Sequence, residues 1–480
     1  MIRPVLVIDF GTTSLRFSIV SATGDILEAR RVVLPNLAGK AGEVAWDGDL
    51  IATTLLAETK RLAEEWNPLG IAIANQRVSC LLWDRTSGRV MGPVLSWSDL
   101  RTAAFDRALR KSGSGHIPNL TGSKLRWLLD QVDPDRKAVA AGTLRAGTLD
   151  SFIISVLSGG QTHVTDFTNA AQSGLLRHDT LCWDEALANV LGVPLSILPE
   201  PVPSVGPHGV ASAIDAGLPV LGMIGDQQGS LLGQGCTEPR QAKLTFGTVG
   251  VLNVVVGREP IAVSSRAAFS NIAYSDKSGV TYGTETSIQS AGSAIEWLVR
   301  IGILPSPAAI DDLVDPSILS ERIVFVQALH GLGAPHWKPG ARGAFLGLSA
   351  ADGREAMVRA VLDSIVCATA DALDCLEGEL GVRLDRISVD GGLAASSAFR
   401  SILSATLRRD LVQSANLEAT TLGAARLGFT ALGEADAFRT APPQPIVSLP
   451  GTIPADRDRA RRATELVMME LSQGSGERRS

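Results

Sequence analysis

Two glycine-threonine turns, almost half the chain apart, carry residue types suited to phosphate chemistry. Residues 9–16 read DFGTTSLR and residues 245–250 read TFGTVG, so that Phe-Gly-Thr occurs twice in the 480 residues. Each turn is flanked by strand-forming residues, which predicts a tight connection between two strands. Open backbone N–H groups and hydroxyls can together bind phosphate oxygens. An ordinary polar hairpin is the alternative for either turn taken alone.

Only the first turn is charged. Asp9 ends the leading strand, and a carboxylate there suits Mg²⁺, usually through water because magnesium keeps much of its hydration shell. Arg16 is placed to reach back toward a phosphate. Neither GxxxxGK[ST] nor GxGxxG occurs in the sequence, so P-loop and dinucleotide-binding folds lose their main support.

Two further segments place polar or glycine residues directly after an apolar strand. Residues 223–235, MIGDQQGSLLGQG, put Asp226 at a strand end, where its oxygens can accept a proton from a substrate hydroxyl. A helix N-cap is the structural alternative for this aspartate. Residues 389–403, VDGGLAASSAFRSIL, combine two glycines with a helix N-terminus, which lets backbone approach a planar or charged group. A tight turn that binds nothing is the alternative here.

Composition and charge exclude several classes of function. The net charge is −6 with both signs interspersed, which argues against nucleic-acid and membrane-surface partners. No run of about 18 apolar residues is present, and MIRPVLVIDF leads directly into a strand rather than a secretory signal. Five cysteines without CxxC spacing argue against disulfides and zinc, and fit a reducing cytoplasm.

The order of elements predicts an α/β protein with two related halves. Strand-like segments alternate with amphipathic helical ones, which is the α/β pattern. The second Phe-Gly-Thr turn starts 236 residues after the first, and two related halves would place a boundary near residues 238–242. A chance repeat is the alternative. Residues 473–480, QGSGERRS, are predicted to be a disordered tail.

The order of these segments resembles the FGGY carbohydrate kinases of the actin/hexokinase/Hsp70-type ATPase superfamily. The stretches most similar to glycerol kinases within that family are NQR at 75–77, HVTDFTNA at 163–170, GDQQ at 225–228, GLGAPHWKPGARGAFLGL at 331–348 and DGGLA at 390–394, and TGSKLRW at 121–127 is similar to a family-wide signature. The resemblance implies two ribonuclease H-like α/β domains that face each other across a central cleft. Residues 1–241 would form the N-terminal domain with the substrate pocket, the first phosphate loop and the general base. Residues 242–472 would form the C-terminal domain with the second phosphate loop and the adenine site.

The resemblance also implies a role for individual residues. Asp9 would lie near Mg²⁺, and Asp226 would be the general base. ATP would contact Thr12, Thr13, Ser14, Arg16, Gly247, Thr248, Gly292, Glu296, Gly391, Gly392 and Ser396. The substrate pocket would include Arg77, Val78, Trp97, Asp99, Asn119, Asp226 and Gln227.

Departures from glycerol kinases fall at the substrate and nucleotide positions. Val78 stands where those enzymes have a glutamate that binds glycerol, and Asn119 replaces a tyrosine. A site that recognises hydroxyl groups discriminates by pairing them, so the loss of two polar partners predicts a different acceptor. In WSDLR at 97–101, which resembles xylulose-kinase-like members, Asp99 either supplies a new acceptor or forms an ion pair with Arg101.

Two nucleotide positions also differ, because Glu296 replaces a glutamine and Ser396 an asparagine. We expect these changes to alter the affinity for ATP and the preference for its base.

The sequence therefore predicts a cytoplasmic enzyme that transfers the γ-phosphoryl group of MgATP to a hydroxyl of a small polyol or ketose. A homodimer is a possible assembly. A pentulose kinase of the xylulokinase type is the alternative within the family. From other classes, a conformational ATPase of the actin/Hsp70 type and a catalytically silent sugar sensor stay open.

Overall fold

A computed structural model of the chain describes residues 2–111, 119–264, 267–318, 323–414 and 418–474. Its contacts divide the chain into two compact units. Unit 1 comprises Met1–Gly235, Asn271–Tyr282 and Glu418–Ala441, and unit 2 comprises Cys236–Ser270, Gly283–Leu417 and Pro442–Ser480. The first switch between units lies near the predicted boundary at residues 241/242, but two later segments return to unit 1. The division is therefore not a single cut in the sequence.

The units are built from short strands and helices in alternation. The strands are β1 Val5–Phe10, β2 Ser14–Val20, β3 Ile26–Val33, β4 Ala45–Trp46, β5 Ile71–Asn75, β6 Cys80–Asp84, β7 Val94–Leu95, β8 Leu144–Thr148, β9 Val164–Asp166, β10 Glu200–Val202, β11 Val205–Ala211, β12 Leu218–Gly225, β13 Gln241–Phe246, β14 Gly250–Gly257, β15 Phe269–Asp276, β16 Gly279–Ile288, β17 Val324–Val326, β18 Ala344–Leu346, β19 Arg386–Asp390, β20 Asp410–Gln413 and β21 Gln444–Pro445. The helices are α1 Gly48–Trp66, α2 Ala103–Lys111, α3 Thr121–Val132, α4 Lys137–Ala140, α5 Leu149–Leu157, α6 Phe167–Ala171, α7 Glu185–Leu191, α8 Asp226–Gly233, α9 Gly292–Arg300, α10 Ile310–Leu313, α11 Arg354–Leu380, α12 Ser397–Leu407, α13 Ala419–Ala431 and α14 Arg457–Gly474.

The main sheet of unit 1 has six strands in the order β11-β12-β5-β1-β2-β3. Strands β1 and β2 form an antiparallel hairpin, while β5 runs parallel to both β1 and β12. Leu6 and Ile8 of β1 pack into one apolar cluster and Val5 and Val7 into another, on the opposite face. Because both faces of β1 are buried, its sequence is almost continuously apolar rather than alternating.

A second large sheet repeats this arrangement in seven strands, ordered β15-β16-β14-β13-β19-β20-β21. Strands β13 and β14 form the antiparallel hairpin, and β13, β19 and β20 run parallel. Each sheet thus combines one hairpin with two neighbouring parallel strands. The Phe-Gly-Thr turns connect β1 to β2 and β13 to β14, at matching positions. The two related α/β halves predicted from the repeated turn are confirmed.

Helix ends follow the local sequence. Helix α1 begins after Asp47, whose carboxylate accepts the backbone amides of Asp49 and Leu50, and it ends at Asn67 in the left-handed conformation. None of the helices among the described residues is long and apolar enough to cross a membrane. Helix α14 ends at Gly474, and positions 475–480 of the predicted disordered tail lie outside the described residues.

Contact with the second Phe-Gly-Thr turn leaves no room for a side chain at one glycine. Gly391 follows β19 with a φ of +95°, and a Cβ atom there would lie 2.4 Å from the carbonyl oxygen of Phe246. Gly381, at the end of α11, has a φ of +65° and no atom within 4 Å of the position a Cβ would take. The two glycines share a left-handed backbone but differ in packing.

We predict that Gly391→Ala destabilises the protein by at least about 2 kcal/mol more than Gly381→Ala. Both variants incur the cost of a left-handed alanine, of order 1 kcal/mol, but only the first forces backbone apart. Thermal scans of the two variants measure the difference, which corresponds to several degrees in Tm for a unit of this size. Equal Tm values would show that the contact with Phe246 is not constraining.

Candidate active site

Three parallel strands of unit 1 end at the same edge of the sheet, and each delivers one charged residue there. In the strand register Asp9 of β1 pairs with Ala74 of β5, which pairs with Ile224 of β12. Arg77 follows β5 by two residues, and Asp226 follows β12 directly. The carboxyl ends of parallel strands are the usual position of ligand sites in α/β sheets. The sequence-predicted metal and base residues are therefore brought to one edge.

The two carboxylates at this edge interact electrostatically. The pKa of Asp9 is raised to about 7. Burial is the larger cause and the negative charge of Asp226 the second, while the positive charge of Arg16 lowers the pKa. Arg16 lies directly across the β1–β2 hairpin from Asp9, and its guanidinium forms an ion pair with Glu418. A pKa raised in this way marks a site where a cation would relieve the repulsion between like charges.

Asp226 occupies the first position of α8 rather than its N-cap, which is Gly225. Its Oδ1 accepts the backbone amide of Gln227 at 2.7 Å and lies 3.5 Å from Nε of Arg77. The backbone amide of Gly225 donates to the hydroxyl of Thr168 at 2.8 Å, which fixes the strand end. The carboxylate is partly exposed at 29% and so is accessible to a ligand.

The hydroxyls of the first turn are oriented by neighbouring donors. Arg31 of β3 donates from Nη2 to Oγ1 of Thr13 at 2.9 Å and from Nε to Oγ of Ser14 at 2.8 Å. The indole N–H of Trp97 donates to Oγ1 of Thr12 at 3.4 Å. A hydroxyl that accepts one bond retains its own proton for donation, and a phosphate oxygen is a strong acceptor.

Val78 and Trp97 lie next to this edge. Val78 has a φ of +71°, which is exceptional for a β-branched residue, and its carbonyl accepts a bond from Oγ1 of Thr121 at 2.9 Å. Trp97 is 45% exposed, and its backbone amide donates to Oγ of Ser79 at 2.9 Å. Unfavourable backbone conformations that the fold enforces tend to occur at functional sites.

Asn119 is engaged at both ends of its amide. Lys124, which is completely buried, donates from Nζ to the backbone carbonyl of Asn119 at 2.8 Å and to its Oδ1 at 2.7 Å. Nδ2 of Asn119 donates to the carbonyl of Trp97 at 3.0 Å. Desolvation lowers the pKa of Lys124 to about 8. Lys124 thus fastens Asn119 to the segment that carries Trp97.

Asp99 does not offer a carboxylate to a ligand. It is completely buried, and it accepts the backbone amides of Val44 and Arg101 and two bonds from the Arg101 guanidinium. Of the two interpretations of WSDLR, the ion pair with Arg101 is the one present, and it lies in the interior rather than on the surface. Its role is to hold the turn after Trp97.

In unit 2, residues of the second turn line a cavity of about 540 Å³. The amide of Gly292 donates to the carbonyl of Gly247 at 2.8 Å, and that of Ser293 to the carbonyl of Thr248 at 3.1 Å, so α9 begins on the turn. The cavity is lined by Phe246, Gly247, Thr248, Gly292, Ile295, Glu296, Pro307, Ala308, Ile310, Asp311, Gly392, Leu393, Ala395 and Ser396. Six of the predicted nucleotide positions of this half therefore line one cavity, and Gly391 lies directly before Gly392.

Comparison with known proteins assigns most of the chain to one family. The model of the FGGY family of carbohydrate kinases, N-terminal domain, matches residues 4–233, and that of the C-terminal domain matches residues 242–432. The chain belongs to the FGGY family of carbohydrate kinases. It is thus a phosphotransferase that acts on an alcohol group of a sugar or polyol, with ATP as phosphoryl donor.

Relatives of the FGGY chain include bacterial glycerol kinases. One from Geobacter sp. strain M21 is 35% identical over 452 residues, which are 90% of this chain and 91% of the relative. One from Alkalilimnicola ehrlichii is 33% identical over 449 residues, 90% of each. Among solved structures, the fold matches Plasmodium falciparum glycerol kinase with ADP at a TM-score of 0.86, 23% identity and 98% of each chain. A xylulose kinase from Rhodospirillum rubrum matches at 0.82 and 22% identity, over 98% of this chain and 99% of the other.

Several residues of the FGGY chain act on the site but were not predicted from its sequence. They are Arg31, which orients two turn hydroxyls, Lys124, which anchors Asn119, and Asp311, which holds the start of α12. The only sequence signal was the lysine within TGSKLRW, the segment that is similar to a family-wide signature. Long-range polar contacts of this kind leave no periodic pattern in the sequence.

Lys124 gives a testable dependence of stability on pH. Its pKa is about 8 in the fold against an ordinary 10.5, so between these values the unfolded chain binds more protons than the folded one. Wild-type protein should therefore gain stability as the pH rises from 8 to 10.5, by at most about 3 kcal/mol. In Lys124→Met this gain should vanish. Denaturant unfolding of both proteins at pH 7.5 and 9.5 measures the free energy of unfolding that tests this. Parallel pH profiles would contradict the assignment.

Proposed function

We propose that this FGGY kinase transfers the γ-phosphoryl group of MgATP to a hydroxyl of a small polyol or ketose other than glycerol, with Asp226 as general base. The observation that carries the proposal is the common edge of β1, β5 and β12, where Asp9, Arg77 and Asp226 lie together. A carboxylate at a strand end, partly exposed and next to a guanidinium, suits a substrate hydroxyl that must lose a proton.

The chemical step balances as follows. The acceptor oxygen bonds to the γ-phosphorus as the bond from that phosphorus to the β,γ-bridging oxygen breaks, and the hydroxyl proton passes to Asp226. ADP leaves with the electron pair of the broken bond. Arg77 steers the Asp226 carboxylate, because its Nε lies 3.5 Å from Oδ1. Such transfers depend mainly on positioning and on stabilisation of phosphate charge.

Asp9 is the residue that would hold Mg²⁺, directly or through water. The fit rests on the carboxylate chemistry of Asp9 and on its position at the strand ends that also carry Asp226, and the raised pKa of Asp9 agrees with it because a bound cation would favour the charged form. When bound, the metal neutralises phosphate charge. The oriented hydroxyls of Thr12, Thr13 and Ser14 would donate to phosphate oxygens. Arg16 would contact phosphate only after its ion pair with Glu418 is broken. The hydroxyl of Thr248 would likewise donate to a phosphate oxygen.

Replacement of the base should abolish turnover without loss of nucleotide binding. Asp226→Asn preserves size but removes the proton acceptor, so kcat should fall about 10²–10⁴-fold. ADP release in the presence of the best acceptor measures kcat, and calorimetry measures the affinity for ADP. Asp135→Asn is the matched control, because Asp135 is an exposed aspartate of unit 1 that forms an ion pair with the exposed Lys137. Near-normal kcat in Asp226→Asn would remove this residue from the role.

The choice of acceptor rests on Val78 and Asn119. An isopropyl group cannot accept a hydroxyl proton, and both polar ends of the Asn119 amide are engaged within the protein. A hydroxyl buried against Val78 would lose its bonds to water without replacement from that side chain. Glycerol-kinase relatives therefore share the machinery with this chain, but the acceptor pocket differs where the acceptor would be recognised.

A restored carboxylate at position 78 should favour glycerol. We expect Val78→Glu to raise kcat/KM for glycerol, relative to the best wild-type acceptor, by at least about tenfold. The change should be tolerated, because glutamate is less constrained than valine at a φ of +71°. The measurement is an ADP-release screen over glycerol, tetritols, pentitols and pentuloses, with Val78→Leu as an apolar control. Glycerol as the best wild-type acceptor would overturn this part of the proposal, and a pentulose would favour the xylulokinase-type alternative.

We also propose a cytoplasmic location, which the five free cysteines support, because reduced thiols persist there. The homodimer stays a prediction.

A further inference from the structure

The cavity that we assign to the nucleotide in unit 2 is lined by both polar and apolar groups. Gly247 and Thr248 contribute backbone groups and one hydroxyl at the turn where α9 begins, and Ile295, Pro307 and Ile310 contribute apolar surface. Such an apolar slot suits a purine ring, with phosphates directed toward the Gly-Thr turn.

Two of the polar side chains that line the cavity are committed to the protein. Ser396 caps α12 by accepting the amide of Phe399, and its hydroxyl donates to Oδ1 of Asp311 at 2.5 Å. Asp311 also accepts the amide and hydroxyl of Ser397 and the amide of Ala398. Because its carboxylate already accepts four hydrogen bonds within the protein, Asp311 is not available to bind a base. Neither side chain is positioned to read the edge of a purine.

Glu296 is the remaining charged side chain of the lining. It is exposed, and among the described residues no donor is bonded to its carboxylate. Gly292 binds the turn, and Glu296 follows four residues later, about 6 Å further along α9. The 3₁₀ turn Pro307–Ala309 packs against the same helix. Glu296 therefore lies away from the phosphate end, beside the apolar slot.

A carboxylate reads purines differently from an amide, because it only accepts hydrogen bonds. Adenine presents an amino donor next to a ring-nitrogen acceptor, the pattern that an amide side chain matches with two bonds. Guanine presents N1–H and its 2-amino group side by side, two donors that one carboxylate can accept together. Glu296 therefore matches guanine with two bonds and adenine with one.

We infer that Glu296 makes the site accept guanine nucleotides as phosphoryl donors, at an affinity comparable with adenine nucleotides. The inference rests on the proposed function, because it assigns the cavity to the donor nucleotide. The competing role for an exposed carboxylate is contact with ribose hydroxyls, which both nucleotides share.

The test is calorimetric binding of ADP and of GDP to the full chain, which needs no acceptor. Wild-type protein should bind GDP with a Kd within about tenfold of that for ADP. In Glu296→Gln the ratio of the GDP Kd to the ADP Kd should rise at least about tenfold, since a matched pair of bonds is worth about that much in discrimination. Glu355→Gln, an exposed change on α11 of the same unit, should leave the ratio unchanged.

A smaller rise in the ratio of the GDP Kd to the ADP Kd overturns the inference. Equal weakening of the binding of both nucleotides also overturns it, because that result would indicate contact with the ribose. Failure of either nucleotide to bind, or the same shift in Glu355→Gln, overturns it as well. A separate assay of phosphoryl transfer distinguishes failure of this inference from failure of the proposed function. Transfer from ATP without GDP binding leaves the kinase proposal intact, whereas GDP binding without transfer to any acceptor in the screen counts against it.

Discussion

The parallel alignment of three strand ends is the constraint on which the proposed site of unit 1 depends. Parallel pairing of β1, β5 and β12 aligns their ends, so Asp9 and Asp226 must share a partly buried space. Burial first and the negative charge of Asp226 second raise the pKa of Asp9 to about 7, and the positive charge of Arg16 opposes this rise. Arg16 lies across the hairpin and Arg77 lies beside Asp226. A buried carboxylate with its pKa raised in this way is disfavoured in its charged form, and perturbed pKa values of this kind tend to occur at functional sites.

The duplicated hairpin shows how one backbone arrangement can serve two electrostatic purposes. Both sheets place a Phe-Gly-Thr turn between the strands of a hairpin next to a parallel strand. In unit 1 the turn follows Asp9, and its hydroxyls are oriented by Arg31. In unit 2 the turn is uncharged and is held by amides at the start of α9. A second acid would repel a triphosphate, whereas backbone N–H groups and a threonine hydroxyl attract it.

The acceptor pocket is defined by buried polar contacts behind its surface. Lys124 loses solvation in the interior and recovers part of that loss through Asn119 and the carbonyl of Trp97. The carboxylate of Asp99 is likewise bonded within the protein, to Arg101, and holds the turn after Trp97. These interactions use polar groups that a sequence would list as candidate substrate contacts. What is left for a substrate is the apolar side chain of Val78, the face of Trp97 and the charged pair of Arg77 and Asp226.

The sequence by itself determined the α/β class, the two halves, the position of the two Phe-Gly-Thr turns and the family, because apolar strands and Gly-Thr turns are local patterns that can be recognised without tertiary context. It also singled out Asp9 and Asp226, since each directly ends an apolar strand. Only the tertiary structure decided that segments 271–282 and 418–441 pack with unit 1, that Asp99 is consumed by Arg101, and that Arg31 and Lys124 support the site. The reason is physical: a side chain's residue type fixes which bonds it can make, but its neighbours, often dozens of residues away in the chain, decide which bonds are left for a ligand.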